Sequence, residues 1–197
     1  MSAQLFKLPA TTRLRSTKSY QLRVELKVVK PAVWRRLAVP STIKLSRLHS
    51  ILLGVMGWQG GHLHEFNFAD ALYGDAEEEL DSGVEDESRI SLAKALVGSD
   101  TFTWIYDYGD FWSHTVTLER IVDLDVPLEM AMCITGANAC PPEDIGGALG
   151  YQEFLEAICD PRHPEHQAMR DHCGGTFDPR AFDPMEAQER LDSIAIE

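Results

Sequence analysis

Hydrophobic and polar residues alternate one for one from Tyr20 onward: Leu22, Val24, Leu26 and Val28 fall on one face, Gln21, Arg23, Glu25 and Lys27 on the other. A period of two is what a strand with one buried face requires. Pro31 interrupts the pattern. Residues 33–39, containing Trp34-Arg35-Arg36-Leu37, read as the returning partner of a hairpin that Pro40 closes. The spacing then changes: Leu45, Leu48, Leu52, Val55 and Met56 recur at helical intervals, which predicts a helix over 44–58 with Ser41 or Thr42 as its cap. Gly57 and the Gly60-Gly61 pair stop it. Alternation resumes over 62–68, Ser91 opens a short helix through Val97, and 102–106 and 112–122 read as two strands joined by a turn at 107–111. After Pro127 the strand signals cease. A loop to Gly150 then precedes three helices, near 151–158, 164–172 and 184–194.

These elements describe an α+β domain: a largely antiparallel sheet of about five strands, with a helix after the first hairpin and helices at the C-terminus. Residues 20–197 form one domain, and residues 1–19, basic and without apolar periodicity, form a flexible arm. Residues 70–87, with Glu77-Glu78-Glu79, read as an exposed acidic loop. At 197 residues and 44% hydrophobic content the chain can bury one substantial core. No apolar run approaches the roughly 18 residues of a membrane span, so the expectation is a cytoplasmic protein with no membrane partner. Cys133, Cys140, Cys159 and Cys173 are thinly spread in a chain too large to need disulfide staples, and they read as reduced thiols, with a metal role left open.

Charge divides the chain. Through Arg47 there are eleven Lys or Arg against the single acid Glu25, giving +10 and leaving −23 for the remainder of a net −13. The acidic body would repel a duplex, so only the basic amino-terminal region, with Arg35 and Arg36 as a strand-borne patch, offers a nucleic-acid contact.

Candidate chemistry concentrates in two stretches, 106–114 and 140–151. His62 and His64, two apart on an expected strand, share a face. If that strand and the 107–114 turn meet at one sheet edge, His62, His64, Asp107, Asp110 and His114 converge as a metal-ligand set for a divalent ion such as zinc or manganese. Glu143 and Asp144, stiffened by Pro141-Pro142 and released by Gly146-Gly147, are the candidate catalytic acid and base. Trp112, Tyr108, Glu143, Asp144 and Tyr151 are the candidate binding residues. Gly146, Gly147 and Gly150 lack the lysine and the preceding strand of a phosphate loop.

Taken in order, the 20–39 hairpin, the helix ending near Trp58, His62-Leu63-His64-Glu65-Phe66, Tyr106 through His114, and Ala139-Cys140-Pro141-Pro142-Glu143-Asp144-Ile145-Gly146-Gly147 with Gly150-Tyr151 resemble the plasmid pRi ORF-3-like family. The likeness runs from Tyr20 to about Leu191. It implies an α+β fold and an association with plasmids and insertion elements, where some members carry a resolvase label, and it implies no defined activity. A serine resolvase needs a nucleophilic serine near the chain start and a helix-turn-helix tail, whereas Ser2, Ser16 and Ser19 fall in the arm and the last helices are acidic. The expected function is therefore a non-enzymatic binding or adaptor domain with a protein or peptide partner. The alternatives are a metal-dependent hydrolase of phosphodiesters and a DNA-binding accessory protein that uses the basic N-terminal region.

Overall fold

The computed structural model describes residues 16–75 and 83–196. Strands β1 (Lys18–Leu26), β2 (Trp34–Pro40), β3 (His64–Asn67), β4 (Leu72–Gly74), β5 (Glu85–Asp86), β6 (Thr101–Tyr106), β7 (Trp112–Asp123) and β8 (Met132–Ala137) form one sheet in the order β5-β4-β3-β6-β7-β1-β2-β8. Every neighbouring pair is antiparallel except β4 with β5. Five helices accompany it among the described residues: α1 (Leu45–Met56), α2 (Leu92–Ala95), α3 (Gly147–Cys159), α4 (His166–His172) and α5 (Pro184–Asp192).

The α+β class and the antiparallel sheet agree with the sequence pattern, but the sheet is wider than about five strands. Strands β4 and β5 lie within the segment read as an acidic loop, and at three and two residues they are too short to display a period. Strand β8 lies within the segment read as a loop after Pro127. Its Met132 and Ile134 are exposed, so it has no buried alternation of its own and is held by its ladder with β2. The arm expectation falls mainly on residues 1–15, outside the described residues. Lys18 and Ser19 already belong to β1, and the buried Ser19 hydroxyl donates to the Val39 carbonyl at 3.3 Å.

The inward face of the sheet carries Leu22, Val24 and Leu26 from β1, Leu37 and Val39 from β2, and Phe66, Trp104 and Val116 from the strands beyond. Leu45, Leu48, Leu52 and Val55 of α1 join them in one core, to which α5 adds Ala187 and Leu191. Burying these side chains supplies the main drive to fold. Arg35 breaks the apolar pattern, for it occupies an inward position of β2 and is only 2% exposed. Its Nε donates to the Val55 carbonyl at 3.1 Å, its Nη1 donates to the carbonyls of Trp34 and Ala137 at 2.9 and 3.0 Å, and the guanidinium lies 4.0 Å from the Phe182 ring centre. Helix α1 has no basic residue in its last turn. Arg35 and Arg190, whose Nε donates to the Gly54 carbonyl at 2.8 Å, bring positive charge from other elements to that carbonyl-rich end.

The opposite face is polar. Arg36 makes a two-pronged contact with Glu119 at 2.6 and 2.9 Å, Arg23 meets Glu25 at 2.6 Å, and both guanidiniums lie over the Trp34 ring. The patch that Arg35 and Arg36 suggested in the sequence is thus divided between the core and a surface ion pair. At the free edge of β8, the Gln188 side chain of α5 accepts from the Cys133 N–H at 2.8 Å and donates to the Ala131 carbonyl at 3.1 Å.

Replacing Arg35 with methionine keeps much of its volume but leaves three carbonyls short of a donor, each costing about 1–3 kcal/mol. Urea unfolding of Arg35→Met should show a loss of about 3 kcal/mol or more, and a loss below about 1 kcal/mol would contradict this account.

Candidate functional site

A cleft of about 600 Å³ opens between the α1–β3 connection, the 140–144 segment and the end of α4, with Phe177 on its wall. Its shape is set by hydrogen bonds that cross it. The Trp58 indole donates to the Pro141 carbonyl at 2.9 Å. The Glu143 carboxylate accepts from the Gln59 N–H at 2.9 Å, the Gly60 N–H at 3.3 Å and the Tyr106 hydroxyl at 2.7 Å. The His172 ring Nε2 lies 2.9 Å from the Glu143 carbonyl, which it reaches as a donor. Burial, followed by the bond to Glu143, raises the Tyr106 phenol well above its ordinary value, so it stays a donor. Glu143 therefore fastens two loops to a strand. Its position shows that commitment.

The 107–111 turn joins β6 to β7. The Asp107 side chain accepts the Gly109 N–H at 2.8 Å, which fixes the turn. Asp110 reaches away from it and accepts the N–H groups of Ile145 and Gly146 at 3.1 and 3.2 Å, placing a carboxylate at the start of α3. This junction explains the glycines. A Cβ on Gly147 would stand 2.5 Å from the Asp110 carbonyl oxygen, and one on Gly150 would stand 1.9 Å from that of Ile145. Close backbone approach, not phosphate, is what Gly147 and Gly150 serve.

Of the five candidate metal ligands, the structure brings two together, His62 and Asp107, and adds Asp144. The His62 imidazole lies 3.7 Å from the Asp107 carboxylate through Nδ1 and 3.3 Å from that of Asp144 through Nε2. One donor atom from each of the three residues lies within 4.8 Å of the others. The other three stand elsewhere. Strand β3 begins at His64, so His62 precedes it and the expected shared face does not arise. His64 is buried, its Nε2 is 2.9 Å from Glu87, and its ring stacks on His49 with centres 3.3 Å apart. His114 is fully buried, its Nδ1 3.2 Å from the Trp104 carbonyl and its ring 4.5 Å from the Trp104 ring. Desolvation pushes the His114 imidazole down to about 3 and holds that of His49 well below its ordinary value. Asp110 is engaged at the start of α3.

The candidate binding residues divide as well. Trp112 and Tyr151, 2% and 4% exposed, are core residues, and Trp112 stacks on Trp58 at 6.0 Å. Tyr151 packs with Phe154 and Phe177 behind the cleft wall, and burial pushes its phenol up to about 12. Tyr108 is exposed on the turn, its hydroxyl 3.3 Å from Glu65. The thiol of Cys140, on the cleft wall, is pushed up to about 12 by burial, so it is not an activated nucleophile. The four cysteines are free.

A family model described as plasmid pRiA4b ORF-3-like protein matches residues 18–186, nearly the whole described chain. The chain belongs to this family. An uncharacterized protein, y4hQ, of Sinorhizobium fredii (strain NBRC 101917 / NGR234) is 40% identical over 178 residues, which cover 89% of this chain and 91% of that protein. The crystal structure of a protein of unknown function, MM3350, from Methanosarcina mazei Go1 superposes with a TM-score of 0.79 at 32% identity, covering 87% of this chain and 97% of that one. The family match and the α+β fold thus agree with the resemblance seen in the sequence motifs.

For this member of the plasmid pRiA4b ORF-3-like family, reading the sequence missed Trp58, His172 and Phe177 as cleft residues. Trp58, between a helix end and a glycine pair, carried a usable signal, since an aromatic at a helix stop faces a loop. His172 and Phe177 lay in segments whose docking only the tertiary fold reveals.

Removing the Glu143 side chain should release both loops. Glu143→Ala is expected to lose about 2 kcal/mol or more of stability and to expose the 57–62 connection to proteolysis under native conditions, and unchanged digestion would speak against the tether. Acid should act through the buried imidazoles. Their folded values lie below the unfolded value near 6.5, so the stability they provide is complete above about pH 6.5 and is lost as pH falls toward the folded value, about 3 for His114. Urea unfolding from pH 7 to pH 5 should show a decline of roughly 1 kcal/mol per pH unit for each of His49 and His114, made shallower by His114→Gln; a flat profile would refute it.

Proposed function

We propose that this protein is a non-enzymatic binding domain that takes a segment of a protein or peptide partner along the cleft and across its rim. The observation that carries this reading is the rim itself. Tyr108 and Phe111 on the turn and Leu149 in the first turn of α3 are exposed although apolar, and the Asp110 contact joins the two elements beneath them. Exposed apolar side chains on two joined elements adjoining a preformed cleft are what a protein partner covers. Inside the cleft the groups hold shape rather than react, for Glu143 is engaged by three donors and the Cys140 thiol is inert. Proline and aromatic rings along its wall, Pro141, Pro142, Trp58 and Phe177, suit an extended chain.

The other readings carry less support. Of the two candidate bases for hydrolysis of a phosphodiester, Glu143 is committed to its tethers, which leaves Asp144 alone at the mouth of the cleft. Nucleic-acid contact through the basic amino-terminal hairpin and arm loses its Arg35 and Arg36 patch, because Arg35 is in the core and Arg36 is bound to Glu119, and residues 1–15 of the arm lie outside the described residues.

Selection of displayed random peptides on the full chain, in metal-free buffer, tests the proposal. The expected outcome is a recurring sequence whose affinity falls at least about tenfold in Phe111→Lys and Leu149→Lys, both exposed changes that leave the melting curve in place. Binders indifferent to both substitutions, or no enrichment, would sink it.

A further inference from the structure

We infer that His62, Asp107 and Asp144 form a binding site for one divalent first-row transition ion, zinc foremost, at the mouth of the cleft. The inference goes beyond the peptide reading and does not depend on it. Three separate segments deliver the donors: the α1–β3 connection, the β6–β7 turn and the loop before α3. An imidazole nitrogen with two carboxylate oxygens is a set that zinc and manganese accept.

One ligand atom from each residue lies within 4.8 Å of the other two. Metal bonds of about 2.0–2.2 Å in tetrahedral array separate neighbouring ligand atoms by roughly 3.3–3.6 Å. The shorter approaches use different ring nitrogens, Nδ1 3.7 Å from Asp107 and Nε2 3.3 Å from Asp144, so an ion held by Nδ1 beside Asp107 requires the Asp144 carboxylate to close on it. Asp107 is oriented as ligating carboxylates commonly are: its Oδ1 takes the Gly109 N–H, and its Oδ2 is the oxygen turned toward His62. The Asp107 N–H donates to the Leu63 carbonyl at 2.9 Å, which ties the turn to the residue after His62. Asp144 is held from behind, since the next two N–H groups are bound by Asp110. The ligand-bearing backbone is therefore fixed, whereas the Asp144 side chain is 69% exposed and free to close on an ion.

Charge favours the same conclusion. Two carboxylates meet here in a chain of net charge −13, and a divalent ion neutralises them. Three protein ligands leave a zinc ion one coordination position short. His62 and Asp144 both line the cleft, so that position opens into it and would accept an oxygen or nitrogen donor from whatever the cleft holds.

The full-length protein, stripped by a chelator and desalted, is titrated calorimetrically with zinc and separately with manganese. One equivalent of zinc should bind. Removing a hydrogen-bond partner of a ligand typically costs about 10–100-fold in affinity, so loss of a ligand itself in Asp144→Asn or His62→Ala should cost at least that, while His163→Ala, outside the cluster, should bind as the parent does. Cobalt should give a visible absorption band with the parent that is absent with His62→Ala. No saturable binding of either metal by the parent would overturn the assignment, and so would equal binding by Asp144→Asn with an unchanged melting curve. Asp144 is exposed, so its substitution decides the matter even where His62→Ala impairs folding. Peptide selection in metal-free buffer keeps failure of this site separate from failure of the binding reading.

Discussion

A buried guanidinium organises this fold. Arg35 stands where an inward-facing strand residue should be apolar, and it meets carbonyl oxygens of three elements together with an aromatic face. Carbonyls without donors are costly in a core, and so is a cation without acceptors. Each requirement answers the other, so the last turn of α1, the end of β8 and the Phe182 segment can occupy only one arrangement about β2. Because α1 runs directly into the cleft wall at Trp58, the arginine also fixes the starting point of the functional surface.

Glu143 is its anionic counterpart at the periphery. Where Arg35 gathers carbonyls, Glu143 gathers donors, two from a connecting loop and one from a strand. The two arrangements differ in what they leave free. The first is closed on all sides and serves stability alone. The second draws Asp144 toward His62 and Asp107 while keeping its own oxygens occupied, so the polar groups left available around the cleft are those at its mouth.

The long elements were legible in the sequence. Strands β1, β2, β6 and β7 alternate over enough residues to declare a buried face, and α1 shows its apolar stripe and its glycine stop. Strand β8 was not legible because Met132 and Ile134 point to solvent and only the ladder with β2 makes it a strand. The site was half legible. The motif around Asp107 and the one around Glu143 marked the right segments, but a period-two reading of His62 and His64 assumed a strand over both, and β3 starts two residues later, at His64. His64 went to a stacked pair with His49, a helix residue that no local pattern connects to it. Likewise, nothing local told that Asp110 would bind the loop entering α3 while Asp107 turned toward His62.

The contact between Gln188 and the outer edge of β8 has a consequence for solubility. A primary amide offers one acceptor and one donor at about the spacing of a strand's own backbone, and here it occupies the Cys133 N–H and the Ala131 carbonyl as a neighbouring strand would. Helix α5 thus supplies a one-residue imitation strand. A terminal β-strand with exposed Met132 and Ile134 is the kind of edge on which a second chain adds itself, and the glutamine denies it the first rungs of that ladder.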